Sequence, residues 1–180
     1  KMVTANTFVL AGADKDNYTL TTTSATTTGN ITARDLTLTL NAAPLITKTY
    51  DAGTSATLVA GNYSLAGVQG ADAVTVSGTA SYNNKLIGTG KTVTANTFVL
   101  AGADKDNYTL TTTTATTTGN ITARDLTLTL NAAPLITKTY DAGTSATLVA
   151  GNYNLTGLVG SDVVTVTGTT TYDNATANTG

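Results

Sequence analysis

The sequence predicts an all-β chain: tandem immunoglobulin-like β-sandwich modules of about 90 residues each, set end to end as a rod. Three observations predict it. Lys1 to Gly90 overlays Lys91 to Gly180 without a gap, with roughly four-fifths of positions matching. Thr supplies about a quarter of the residues, while Glu is absent and the Ala residues are scattered, so helix formers are scarce. Short segments alternate apolar and polar residues between turn clusters about 8–12 residues apart, which is sandwich spacing. A unit of this length is too long for one solenoid coil and too short for a propeller.

Within one copy the elements follow in order. Tyr18 and Leu20 alternate with Thr19 and Thr21, after a turn cluster over 11–17. Leu36, Leu38 and Leu40 alternate with Thr37, Thr39 and Asn41, giving one apolar and one polar face. Asn41-Ala42-Ala43-Pro44 then turns the chain. Tyr50-Asp51-Ala52-Gly53 reads as a tight turn in which Asp caps its own backbone and Gly supplies φ > 0; it recurs as Tyr140, Asp141, Ala142 and Gly143. Tyr63 and Leu65 alternate with Asn62 and Ser64, and Val74 and Val76 with Thr75 and Ser77, each after a Gly-containing turn. One segment breaks parity: Val93 and Ala95 take one face, Phe98 and Leu100 the other. A straight strand cannot bury both sets, so a bulge or sheet switch is expected at Asn96-Thr97 and again at Asn6-Thr7. Thr22 to Thr28 lacks regular alternation. Tyr18, Tyr50, Tyr63 and Tyr82 are expected at the core rim, rings in and hydroxyls out.

The repeat leaves its phase open. Cutting before Arg34 and Arg124 makes 34–123 one complete module, 1–33 the C-terminal part of a preceding one and 124–180 the N-terminal part of a following one. Cutting at Gly90-Lys91 gives two whole modules but splits a continuous strand. The first phase is preferred. No Gly/Ser-rich or Pro-rich linker intervenes, so a short, stiff joint is expected. Lys1 enters mid-pattern, as in a piece of something longer. Part-modules would expose edges and core, which predicts head-to-tail strand exchange between chains.

Nine Lys and Arg against eleven Asp give a net charge of −2. Arg occurs only at Arg34 and Arg124, so no basic groove for nucleic acid can be built. No apolar run reaches the ~18–20 residues of a membrane span. Cys and His are both absent, which removes disulfides, thiolate metal sites and the usual nucleophile–base pairs.

The ordered string Lys48-Thr49-Tyr50-Asp51-Ala52-Gly53-Thr54, Ala56-Thr57-Leu58, Asn62-Tyr63-Ser64-Leu65, Asp72-Ala73-Val74-Thr75-Val76, Gly88-Thr89-Gly90-Lys91 and Asp104-Lys105-Asp106-Asn107-Tyr108-Thr109-Leu110 resembles the YDG repeat. This is a bacterial immunoglobulin-like unit of large surface adhesins of the filamentous-haemagglutinin type. The resemblance covers essentially the whole chain, twice. It implies an extracellular, cell-surface setting, a stalk or adhesive role and no catalysis. Two departures stand out: Ala52 and Ala142 split the usual Asp-Gly, and Ala33 and Ala123 stand where such repeats often carry Pro.

Candidate chemistry is sparse, and neither an enzyme nor a cofactor is expected. Asp14 and Asp16, with Asp104 and Asp106, could offer oxygens to Ca²⁺, but a Lys lies between the acids, the bidentate Glu and the Gly of a known loop are missing, and a plain hairpin turn is the preferred reading. Asn17, Asn30, Asn107, Asn120 and Asn174 head Asn-x-Thr sequons of the kind so Thr-rich a chain produces by chance. Lys48 and Lys138 are candidates for an isopeptide crosslink. Thr-x-Thr ladders could match an ice or sugar surface, or simply fill solvent-facing strand positions without charge. Two roles are therefore carried forward. One is a structural stalk whose partners are the neighbouring repeats. The other is a binding module that contacts host glycan or protein through the divergent stretch 64–88 and its counterpart 154–178.

Overall fold

The computed structural model describes residues 1–177; residues 178–180, which close the third predicted segment and include Asn178 of the divergent stretch, lie outside it. The chain is all-β. Among the described residues the only helical turns are short 3-10 pieces, at Lys15–Asn17, Ala60–Asn62, Lys105–Asn107 and Ala150–Asn152.

The chain opens with β1 (Met2–Asn6) and β2 (Ser24–Thr28), which among the described residues pair only with each other. Next come β3 (Arg34–Leu40), β4 (Thr47–Thr49), β5 (Ser55–Ala56), β6 (Tyr63–Ala66) and β7 (Thr75–Tyr82). The second copy begins with the long β8 (Gly88–Ala101), then β9 (Tyr108–Leu110) and β10 (Thr114–Thr122). β11 (Thr127–Leu130), β12 (Ser145–Ala146), β13 (Tyr153–Thr156) and β14 (Thr170–Thr171) follow. Two sheets dominate. One has the order β4-β10-β8-β7-β5 and the other β6-β3-β9, and β3 meets β10 while β6 meets β7 where they face each other. Beyond Ala123 the only pairings among the described residues are β11 with β13 and β12 with β14.

Strands from both copies therefore share each sheet. β9 and β10 of the second copy run parallel to β3 and β4 of the first, while β8 lies antiparallel between β7 and β10. The parallel pairs need long crossovers, and the stretch from β3 to β9 supplies one. The apolar side chains follow the pairing rather than the sequence. Ile46, Tyr82, Val93 and Ile121 form one buried cluster, with Tyr50, Ala56, Leu58 and Ala80 packed around it. Leu36 and Leu38 are buried on β3. Ile121 is 3% exposed, while Ile31, its twin in the first copy, is 82% exposed. Identical sequence is core in one place and surface in another because only one copy has a partner strand.

The parity break in 91–100 is a bulge. β8 and β7 pair evenly from Tyr82↔Val93 to Thr79↔Asn96, then resume at Ser77↔Val99, so two residues of β8 oppose Gly78 alone. Thr97 carries it with φ 52°. In the first copy Thr7 has the same left-handed backbone, φ 64°, but β1 simply ends at Asn6, because nothing pairs with that flank.

Two expectations need correction, and a third differs between the copies. Tyr18 to Thr21 forms no strand, whereas the same residues at Tyr108 to Leu110 do; Tyr18 is 72% exposed and Tyr108 only 8%. Thr22–Thr28 stays exposed throughout and shows no alternation, whereas its second-copy counterpart β10 turns Ala115, Thr117, Gly119 and Ile121 inward, an order hidden in the sequence because Thr occupies both faces. Tyr82 is not a rim residue. It is buried, and its hydroxyl donates to the backbone oxygens of Ile46 (3.2 Å) and Asn120 (2.9 Å).

Candidate functional site

The repeated Tyr-Asp-Ala-Gly turn sits where β4 hands over to β5. Asp51 Oδ1 accepts the Gly53 N–H at 2.8 Å, an Asx turn of the kind its sequence favours. Lys48 Nζ lies 2.5 Å from the same carboxylate and also donates to the carbonyls of Gly53 and Ser55, at 3.2 Å each. Asp141, Gly143 and Lys138 repeat the arrangement at 2.9 Å and 2.6 Å. The lysine hydrogen bond, then the backbone amide, hold both carboxyls below their ordinary value of 3.8. The sequence reading placed φ > 0 on the glycine, but Ala52 (φ 62°) and Ala142 (φ 63°) carry it. The extra Ala is the left-handed residue of the turn. Gly53 is needed for room instead, since a Cβ there would stand 3.3 Å from Asp51 Oδ1.

For Lys48 and Lys138 the partner is a carboxylate at salt-bridge distance, about half exposed in the case of Asp51. Amide formation calls for a neutral acid, and the lysine beside each carboxyl favours the charged carboxylate. Of the candidate calcium carboxylates, three already have partners. Asp16 and Asp106 pair with Lys15 and Lys105 at 2.7 Å and 2.6 Å, and Asp104 Oδ2 accepts the Ala73 N–H at 2.8 Å. Asp14 caps nothing through its side chain. Among the described residues no three acidic groups gather around one point. Of the sequon asparagines, Asn17, Asn30, Asn107 and Asn174 are exposed, while Asn120 is half-buried and accepts the Gly90 N–H at 3.0 Å.

Two polar devices escaped the sequence reading. Asn62 and Asn152 are almost fully buried. Asn62 accepts the Val59 N–H (3.0 Å) and donates to the carbonyls of Asn41 (3.1 Å) and Pro44 (2.7 Å), tying two loops together. A Gly-Asn pair reads as an exposed turn, so nothing in the sequence marked it as interior. The second device is Tyr108. Its hydroxyl donates to Asp72 Oδ2 at 2.5 Å and accepts the Gln69 N–H at 2.9 Å, pinning β9 to the loop before β7. The Asp72 carboxylate raises its phenol above the ordinary value of 10.0.

Two open clefts lie on the apolar side of residues 124–177. One, of about 510 Å³, is lined by Tyr50, Leu86, Ile87, Leu126, Leu158 and Asp162 among others. There the Asp162 carboxylate faces the Tyr50 hydroxyl and raises its pKa. The other, of about 540 Å³, runs between Leu155, Val164, Val166 and Gly168. Leu, Val and Ile side chains make up much of the lining of both clefts, so the arrangement offers apolar contact.

Comparison with known proteins adds one finding. A family model described as the YDG domain matches residues 32–117 and 122–180, well over half of the chain. No curated protein matches the chain, and no solved structure does.

Proposed function

The chain belongs to the YDG domain family, and from that premise we propose that it is a non-enzymatic stalk segment of a bacterial surface adhesin, outside the cell, holding a distal binding region away from the surface. In this reading the repeats are immunoglobulin-like sandwich modules stacked as a rod. Residues 34–123 are one complete module, 1–33 close the module before and 124–180 open the next. The family match, whose two segments begin at 32 and 122, is compatible with that phase.

The observation that carries the reading is the shared sheet. β9 and β10 belong by sequence to the second copy yet complete the sheets of β3 and β4, and only residues 123–126 separate β10 from β11. Neighbouring copies joined in this way have no slack chain between them, which suits a spacer that must transmit length. The near-identity of the copies suits it too. Small-angle scattering of the chain tests the proposal: an elongated profile is expected, and a compact, isotropic one would overturn it.

A second reading, a module that contacts host glycan or protein, is favoured by one specific feature. Most positions that differ between the copies are exposed, and Leu86 and Ile87 stand out as large apolar side chains at 64% and 59% exposure. Binding of the isolated chain to a glycan array or to host cells would favour this reading over the stalk.

A further inference from the structure

The unit 34–123 is entered and left on neighbouring strands that run the same way. β9 lies parallel to β3 in the register Arg34↔Tyr108, Asp35↔Thr109 and Leu36↔Leu110. The bonding continues past β9. The Thr111 N–H donates to the Leu36 carbonyl at 3.0 Å, and the Leu38 N–H donates to Thr112 Oγ1 at 2.9 Å. Only Thr113 then separates Thr112 from β10, so the chain keeps its direction into that strand. β10 in turn runs parallel to β4, pairing Asn120↔Thr47, Ile121↔Lys48 and Thr122↔Thr49. The Asn120 N–H donates to the Ile46 carbonyl at 2.8 Å, and the Tyr50 N–H to the Thr122 carbonyl at 2.9 Å. Residues 108–122 therefore track 34–50 from one sheet into the other, with Arg34 at one end of the pair and Thr122 at the opposite end.

We propose that these two segments form a tension clamp, which keeps the unit folded when the chain is pulled from both sides. Residues 1–33 precede Arg34 and residues 124–180 follow Ala123, so a pull along the chain acts at those two points. Because the segments are parallel, drawing Arg34 backward and Thr122 forward slides one past the other. The bonds of a parallel pair are evenly spaced along the strands, so they share a sliding load and must yield together. Opened from one end instead, the same bonds, each of modest strength, yield one at a time. Side chains fasten the same pair. Tyr82, buried on β7, donates its hydroxyl to the carbonyls of Ile46 and Asn120, one from each segment. Tyr108 is held at its hydroxyl by Asp72 and the Gln69 N–H. Ile46 and Ile121, again one from each segment, share one buried cluster, so sliding also draws apolar side chains out of the core.

The inference rests on the stalk reading only for the source of the tension. Resistance to sliding belongs to the unit itself, so pulling tests the clamp while scattering tests the stalk. The 180-residue chain has no Cys, so handles can be attached at chosen sites, and Ala33, Asn107 and Ala123 are exposed. In optical tweezers, the full chain carrying Ala33→Cys with Ala123→Cys loads the two segments in sliding. Ala33→Cys with Asn107→Cys instead pulls apart the adjacent starts of β3 and β9. Rupture under force reports the barrier to unfolding rather than the equilibrium stability, so the two directions can differ in one and the same fold. At equal loading rate the first pair is expected to rupture at a severalfold higher force than the second. Equal forces in the two directions, or a lower force for the first pair, would overturn the proposal.

Discussion

Asn62 illustrates how much one polar side chain does in a thin core. Its three hydrogen bonds join the loops on either side of β3 and β6, and burial makes each of them costly to lose. Asn62→Ala is expected to destabilise the chain by about 2–4 kcal/mol, read as a lower denaturation midpoint. Tyr82→Phe, which leaves two buried carbonyls without that donor, is expected to cost about 1–2 kcal/mol. Glycines give a paired test. Gly78→Ala drives a Cβ into Phe98 and the Asn96 carbonyl and should cost about 1–3 kcal/mol, whereas Gly168→Ala meets open space and should be near neutral. Equal effects at the two glycines would contradict the pairing described for β7 and β8. At the turn, Ala52→Gly removes the strain of a left-handed Ala, about 1–2 kcal/mol, against a Gly entropy cost of about 0.5–1 kcal/mol. A small net stabilisation is expected.

At the scale of elements, the turns and strand ends set the pH response. Asp51 and Asp141 are held below their ordinary value, so the stability they add is present above pH 3.8 and fades as pH falls through their folded values. Their exposure keeps this contribution small. Tyr50, Tyr82 and Tyr108 are held above 10.0, so what they add is present below that pH and is lost as pH rises through their folded values. Thermal melts should therefore be level from about pH 5 to about pH 9 and fall on the alkaline side. A melt that improved above pH 10 would argue against the Tyr108–Asp72 and Tyr82–carbonyl contacts. The strands were legible to differing degrees for physical reasons. β3, β6 and β7 stood out because Leu and Val alternate with Thr and Ser. The bulge of β8 stood out because its apolar parity flips. β10 did not, because Thr on both faces erases the contrast, and the short β4, β5, β12 and β14 carry too few residues to show a period.

At the scale of the molecule, the repeat was plain in the sequence but its consequence was not. Val3 and Val93 differ in immediate surroundings only by Met2 against Thr92, yet Val3 is exposed and Val93 fully buried, since β7 pairs with β8 and, among the described residues, no strand takes that place beside β1. Local reading cannot see such a partner. The candidate carboxylates were legible as turn residues; that Asp16, Asp106 and Asp104 are occupied by Lys15, Lys105 and the Ala73 amide required the fold. The account as a whole depends on strands of one copy completing the sheets of the copy before it. Residue-resolved amide hydrogen exchange at low concentration tests this most directly. Strong protection is expected in β3 and β7 through β10, with fast exchange in β1, β2 and β11 through β14 despite their identical or near-identical sequence. Two equally protected blocks, one over 1–90 and one over 91–180, would contradict it.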